Sequence, residues 1–197
     1  MHPFYGPRFG AWLNDEVLGR SVRARAAELG FDRRTVLSTV PNMAGLVGHL
    51  DERAAIYYCV DDFSTWPGYS AEVVGRMERR LVQTCDRLVV TAQALREKWA
   101  RPKLPVLDLP HGVDVSHFAA TASMQRRDDG LPGPHLLCLG LWDERLDVAL
   151  LRAVLDARPT WHLHIVGQRT AGAGPLGGHA QVRILSAVPY HDLPTAI

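Results

Sequence analysis

The chain has 197 residues, 47% of them hydrophobic and 22% charged, with a formal net charge of +1, which is the composition of one or two globular domains. The small net charge excludes a broad electrostatic footprint for nucleic acid. No apolar run is long enough to cross a bilayer, and "MHPFYGPRFG" lacks the apolar core of a signal peptide. Three widely spaced cysteines, Cys59, Cys85 and Cys138, with no CxxC pair, predict free thiols in a reducing cytoplasm rather than a disulfide framework or a zinc site.

Taken in chain order, residues 12–29 place Trp12, Leu13, Val17, Leu18, Val22, Ala26 and Leu29 at helical spacing, and Gly30 is set to stop that helix. "TVLSTV" (35–40) reads as a short buried strand closed by Pro41, "MAGLVGHL" (43–50) as a short helix, and "AAIYYCV" (54–60) as a second strand. Residues 70–85 are helical, with Ser70 as N-cap. "RLVVTA" (87–92) is a strand, "QALREKWA" (93–100) a helix and "LPVLDLP" (104–110) a strand. Residues 121–134, rich in Arg, Asp and Gly, have loop composition, and then the pattern restarts. Strands are expected at 135–140, 161–167 and 182–188, a helix at 146–158, a Gly-rich connector at 170–180, and the first turn of a helix at 191–197.

Alternating strands and helices, with strands that are continuous apolar runs, indicate α/β doubly wound parallel sheets covered on both faces. The restart after residue 121 implies two such sheets. The first lacks an opening strand and Gly-rich turn, and the second supplies about three strands, so the chain is expected to be an excerpt of a longer protein.

Chemistry-bearing residues gather where strands end. Asp61 and Asp62 follow a strand, at the edge where open α/β sheets bind ligands. A carboxylate there can orient a hydroxyl or accept its proton; the plainer alternative is an Asp-rich turn in which Asp62 or Ser64 acts as a cap. "GLWDERLD" (140–147) ends a strand at Gly140 and begins a helix near Arg145. Gly140 would let a ligand approach the backbone, and Arg145 at a helix N-terminus would suit a diphosphate. The alternative has Asp143 as N-cap and Arg145 as a solvated first-turn residue. Gly167 and Gln168 end the next strand at the same edge. His162 and His164 share one strand face, but with no third ligand evident a metal site is not expected. Arg20, Arg23 and Arg25, and then Arg76, Arg79 and Arg80, read as solvated helix faces, with contact to anionic lipid headgroups as the alternative.

"LPHGVDVSHF" (109–118) is a rigid turn between the two halves. Pro110 fixes φ, Gly112 can take a backbone conformation closed to other residues, and Asp114 can satisfy nearby amides. Pro110, His111, Gly112, Val113, Asp114, His117 and Phe118 resemble the interdomain signature of GT-B glycosyltransferases of the group 1 family, the family-four type. "CDRLVVTAQALREKWA" before it, and "LLCLGLWDERLDVALLRAVLDARPTWHLHIVGQ" and "VRILSAVPYHDLP" after it, resemble the family's flanking segments in the same order. Arg145 stands where the family usually has a Lys-Gly pair in a longer loop, and Ser186 and Ala187 replace its usual Gly region. The "YYCVDD" and "GLWDERLD" spellings are similar to the teichuronic acid and cell-surface polysaccharide branch.

The resemblance implies two Rossmann-like domains. Residues 1–116 would be part of the acceptor-side domain and residues 117–197 part of the donor-side domain, with residues 110–114 as the hinge. It implies transfer of a sugar, with retention, from a nucleotide diphosphate donor to a glycan or lipid-linked acceptor. No metal or further cofactor and no nucleic-acid partner are expected. The implied place is the cytoplasm, at the inner face of the membrane if the arginine clusters meet lipid. Asp61 would be catalytic, and Asp62, Gly140, Arg145 and Gly167 would bind substrates. The family's donor-site glutamate pair would lie beyond Ile197, so these 197 residues alone are expected to be inactive. Rival readings are a sugar-nucleotide epimerase or phosphorylase on the same scaffold, or a non-catalytic nucleotide- or glycan-binding module.

Overall fold

The first helix, α1 (Arg8–Glu28), ends where glycine stops it. Gly30 has φ +72°, its N–H donates to Ala27 O at 3.0 Å, and Phe31 N–H donates to Ala26 O at 2.9 Å. These two bonds form a Schellman motif, in which a left-handed residue satisfies the last helical carbonyls. Of the expected apolar stripe, Trp12 and Leu13 lie among the residues described by backbone alone. From Asp15 onward, Val17, Leu18 and Leu29 are exposed, and Gly19 is buried, facing Leu46 and the His49 carbonyl at ordinary contact distance. In the computed structural model the described residues are 8–101, 103–119, 130–131, 133–170 and 174–196, with residues 8–14 and 196 described by backbone alone. The chain divides into two compact units, Met1–Gly112 and Val113–Ile197. That division falls within the 109–118 segment, ahead of the 116/117 boundary expected from sequence.

The first unit carries four parallel strands, β1 (Arg34–Ser38), β2 (Glu52–Cys59), β3 (Arg87–Val90) and β4 (Val106–Asp108), in the spatial order β1-β2-β3-β4. Helices α2 (Ala71–Thr84) and α3 (Gln93–Trp99) make the second and third crossovers. The first is made by a 3-10 turn, Pro41–Gly45, rather than by the expected helix over 43–50. Pro41 starts that turn, and Gly48, with φ +89°, reverses the chain soon after it. Ser70 caps α2, its Oγ accepting the Val73 N–H at 3.4 Å. Strands taken in sequence with right-handed crossovers put every connection on one face. Ala44, Val47, Leu81, Val82, Leu95 and Trp99 accordingly pack with Ala55, Tyr57, Cys59, Leu88 and Val90 in a single core. On the other face Leu37 and Leu107 are exposed.

The second unit opens with α4 (Val115–Ala119), which Asp114 caps by accepting the His117 N–H at 3.0 Å. Three parallel strands follow, β5 (His135–Leu139), β6 (His162–Val166) and β7 (Val182–Leu185), again in sequential order. Helix α5 (Val148–Ala157) joins β5 to β6, and its Leu155 packs with Trp142, Leu163, Ile165 and Leu176. Leu137, Leu139 and Leu185, which alternate with the packed positions, are exposed. A 3-10 turn at Tyr190–Asp192 leads into α6 (Leu193–Ala196). Tyr190 stacks on His117 at 4.8 Å and its carbonyl accepts from His117 Nε2 at 3.0 Å, tying the start of this unit to its end.

The α/β class and both parallel sheets stand. In each unit the described core cluster gathers helix and loop side chains against the strands, and exposed leucines such as Leu37, Leu107, Leu137 and Leu139 alternate with the packed positions. The expected loop at 121–134 lies largely outside the described residues, as do residues 171–173 of the Gly-rich connector.

Candidate functional site

At the carboxyl end of β2 the chain makes a tight polar turn. Asp61 Oδ1 accepts its neighbour's N–H, from Asp62, at 2.7 Å, and Asp61 Oδ2 accepts the Trp66 indole N–H at 3.0 Å. Asp61 is exposed, and a carboxylate has lone pairs beyond those two bonds for a ligand hydroxyl. Asp62 is more committed. It caps a 3-10 turn, Phe63–Thr65, by accepting the Ser64 N–H at 3.1 Å, and it pairs with Lys98 Nζ of α3 at 2.5 Å. Partial burial works to raise the Asp62 carboxyl, but the Lys98 ammonium and the Ser64 hydroxyl outweigh it and hold it below the ordinary range. The capping alternative for Asp62 is therefore realised, beside an ion pair that sequence did not signal. His111 Nε2 donates to Val60 O at 3.3 Å and Thr91 Oγ1 donates to the same carbonyl at 3.1 Å, so the joining segment and the residue that follows β3 brace this edge.

Beneath the turn lies a residue that sequence reading missed. Glu78 of α2 is fully buried, and its Oε1 accepts the Tyr57 hydroxyl at 2.8 Å. Its Oε2 is buried without a hydrogen-bond partner. Burial pushes the Glu78 carboxyl up, more than the Tyr57 bond and the nearby Lys98 charge pull it down. Burial also pushes the Cys59 thiol up to about 11, and its Sγ donates to Asp61 O at 3.6 Å. Within the "RMERRL" run nothing sets Glu78 apart from a solvated helix residue; its partner Tyr57 is 21 positions away.

The second unit builds a comparable edge after β5 and β6. Gly140 has φ +131° and Gly167 φ +153°. A Cβ on Gly140 would meet nothing within 4 Å, so a ligand has room to reach that backbone. A Cβ on Gly167 would lie 1.7 Å from Gly140 O, so this glycine is required by close packing of the two strand ends. Past the glycines the chains pair again, with Trp142 N–H donating to Gln168 O at 2.8 Å and Thr170 N–H to Trp142 O at 2.9 Å. Arg169 stacks on the Trp142 ring at 4.8 Å.

Arg145 is not in the first turn of α5, nor is Asp143 its cap. The helix starts at Val148, and Asp147 caps it by accepting the Leu150 N–H at 2.9 Å. A carboxylate thus occupies the helix N-terminus expected for a diphosphate. Arg145 sits in the preceding turn, where Nε meets Asp143 Oδ1 at 3.0 Å and Nη2 meets Oδ2 at 2.7 Å. This two-pronged pair fixes the guanidinium, and with the Arg145 backbone N–H it holds the Asp143 carboxyl below its usual range.

Of the joining segment, Pro110, His111 and Gly112 fall in the first unit, and Val113 and Asp114 in the second. Gly112 does not use a left-handed conformation, and a Cβ there would meet nothing within 4 Å, so the steric reason expected for it is absent. Parallel register sets His135 beside His162 and His164, with His135 Nδ1 and His164 Nε2 sharing a hydrogen bond of 3.0 Å. Sequence spacing did not reveal that third imidazole; still, among the described residues no group of three or more His, Cys, Asp or Glu is arranged to hold a metal. The arginine clusters are laced with acids, Arg20 to Glu16, Arg25 to Glu28, Arg76 to Glu72 and Arg80 to Asp15, as a solvated face would be. Cys59, Cys85 and Cys138 are free. Among the described residues no helix is long and apolar enough to cross a membrane. No family model matches the chain, and no curated protein sequence matches it.

Proposed function

We propose that this chain is part of a GT-B glycosyltransferase of the group 1 family, one that moves a sugar from a nucleotide diphosphate donor to a hydroxyl of a glycan or lipid-linked acceptor. The observation that carries the proposal is the succession of two parallel-sheet units meeting within "LPHGVDVSHF", the segment with the family's interdomain spelling. On this reading each sheet is one half of a doubly wound, Rossmann-like domain, and the exposed Leu37, Leu107, Leu137 and Leu139 lie on the face the other half covers.

The chemistry rests on the two strand-end sites, each taken by itself. In the second unit the donor diphosphate lies against the open backbone at Gly140. Arg145, oriented by Asp143, neutralises charge on the departing nucleoside diphosphate. The Asp147 cap directs the phosphates toward that turn rather than onto the α5 N-terminus. In the first unit Asp61 receives the acceptor hydroxyl and its proton as the glycosidic bond forms. Asp62, paired with Lys98, holds the turn in shape. Reaction with retention through an oxocarbenium-like transition state asks for no metal. The cytoplasmic face of the membrane suits a lipid-linked acceptor.

A panel of UDP- and GDP-sugars tests the proposal. Donor binding by this chain is the first readout, and release of nucleoside diphosphate coupled to acceptor glycosylation by the protein that carries it is the second. An epimerised nucleotide sugar with no acceptor consumed would replace transfer by epimerase chemistry. No binding and no turnover with any donor would overturn the proposal.

A further inference from the structure

Glu78 is an acid that the proposed transfer does not use, and the helix that carries it packs against the Phe63–Thr65 turn that follows Asp61 and Asp62. One oxygen accepts from Tyr57, and the other is buried without a partner. A carboxyl so placed is far cheaper to bury neutral than charged. Tyr57 and Cys59 face it from β2, with Cys59 Sγ at 4.0 Å from Oε1. The two 3-10 turns packed on α2, Pro41–Gly45 and Phe63–Thr65, contain no titratable side chain. Two charged groups outside α2 reach it electrostatically: Lys98 on α3, which favours ionisation, and Asp62, which opposes it.

Lys98 is shared between these groups. Its ammonium lies 2.5 Å from Asp62 Oδ1 and 3.0 Å from Ser64 Oγ, and Asp62 Oδ1 also receives the Ser64 N–H that closes the turn. The Lys98 side chain is 31% exposed, so its long stem is not locked into the core. We propose that Glu78 is a proton-operated latch on residues 61–65. Neutral, it leaves Lys98 to Asp62 and Ser64; ionised, with its proton released to solvent, it draws the ammonium inward and the Asp62 cap loosens. The latch sets the order of the turn that presents Asp61, and it requires no particular substrate there.

The test is an NMR pH titration of the whole chain carrying 13C-labelled glutamate carboxyls and 15N-labelled amides. One carboxyl is expected to titrate above the ordinary glutamate range. The Ser64 amide shift should follow with the same midpoint, and its exchange protection should fall roughly tenfold beyond the intrinsic pH dependence. Glu78→Gln should remove both that carboxyl signal and the Ser64 response. Lys98→Met should move the Glu78 midpoint up and Asp62→Asn should move it down, because they delete charges of opposite sign. If Glu78→Gln fails to fold, those opposite shifts decide. The latch is overturned if Glu78 titrates in the ordinary range, if it stays neutral until the chain unfolds, or if Ser64 responds equally in Glu78→Gln. Midpoints that fail to move in opposite directions overturn it as well.

Discussion

Replacing Gly167 with alanine tests how the second unit builds its strand-end site. The new Cβ would lie 1.7 Å from Gly140 O and 2.7 Å from Gly140 C, in backbone at φ +153°. Holding a non-glycine residue in such a region costs about 1–3 kcal/mol. Displacing a neighbouring main chain to admit an added carbon costs about 1–3 kcal/mol more. Gly140→Ala, at φ +131° with nothing within 4 Å of its Cβ, carries the backbone cost alone. The difference between the two variants therefore isolates the steric term, about 1–3 kcal/mol or roughly 5- to 150-fold in an opening equilibrium. The cysteines report it by unit. Cys138 lies in β5, whereas Cys59 and Cys85 are buried in the first unit. Thiol labelling under native conditions should accelerate at Cys138 far more in Gly167→Ala than in Gly140→Ala, with Cys59 and Cys85 unchanged. Equal acceleration in the two variants would refute the close-packing account of Gly167.

Other perturbations act on single named groups. Glu78 has a folded-state pKa raised above its unfolded value, so its contribution is full below the ordinary glutamate range and is lost as pH rises through the raised value. Urea melts should show Glu78→Gln gaining on the parent chain as pH climbs from about 4 to 8, and a pH-independent difference would contradict this. Asp62 has the opposite sign: its carboxyl is held low, so its support for the turn is present above the ordinary aspartate range and lost as pH falls through the depressed value. Ser64 amide protection should therefore drop in acid in the parent chain and show no such drop in Asp62→Asn, as hydrogen exchange would reveal. Asp147→Ala removes the acceptor of the Leu150 N–H and should cost about 1 kcal/mol, seen at Cys138 and not at Cys85.

What the sequence revealed was local. Ser70 before an apolar helical run, Gly30 after one, and Asp114 ahead of His117 act within four residues of themselves, and each does in the structure what its side chain or backbone predicts. Strand positions were legible because apolar β-formers cluster between turn residues. Features set by distant pairing were not. Glu78 looks like part of a charged run until β2 brings Tyr57 beneath it, and His135 reaches His164 only through the β5–β6 register. Lys98 meets Asp62 across 36 positions. Periodicity alone was not enough in α1: Val17 and Leu18 share its apolar spacing yet are exposed, while Gly19 is buried. At the "GLWDERLD" turn Asp143 was the expected cap, but Asp147 takes that place while Asp143 binds Arg145, because the helix starts later than the apolar spacing indicated.

The most direct test of the proposed chemistry is a 15N NMR titration of the chain with UDP- and GDP-sugars, read at the second unit's strand ends. Binding is expected to shift the Gly140, Arg145 and Gly167 amides with at least one donor. Arg145→Ala should weaken that donor by about 10- to 100-fold, the loss of one charge-assisted contact. No shift with any donor, or shifts confined to the first unit and indifferent to Arg145→Ala, would contradict the account.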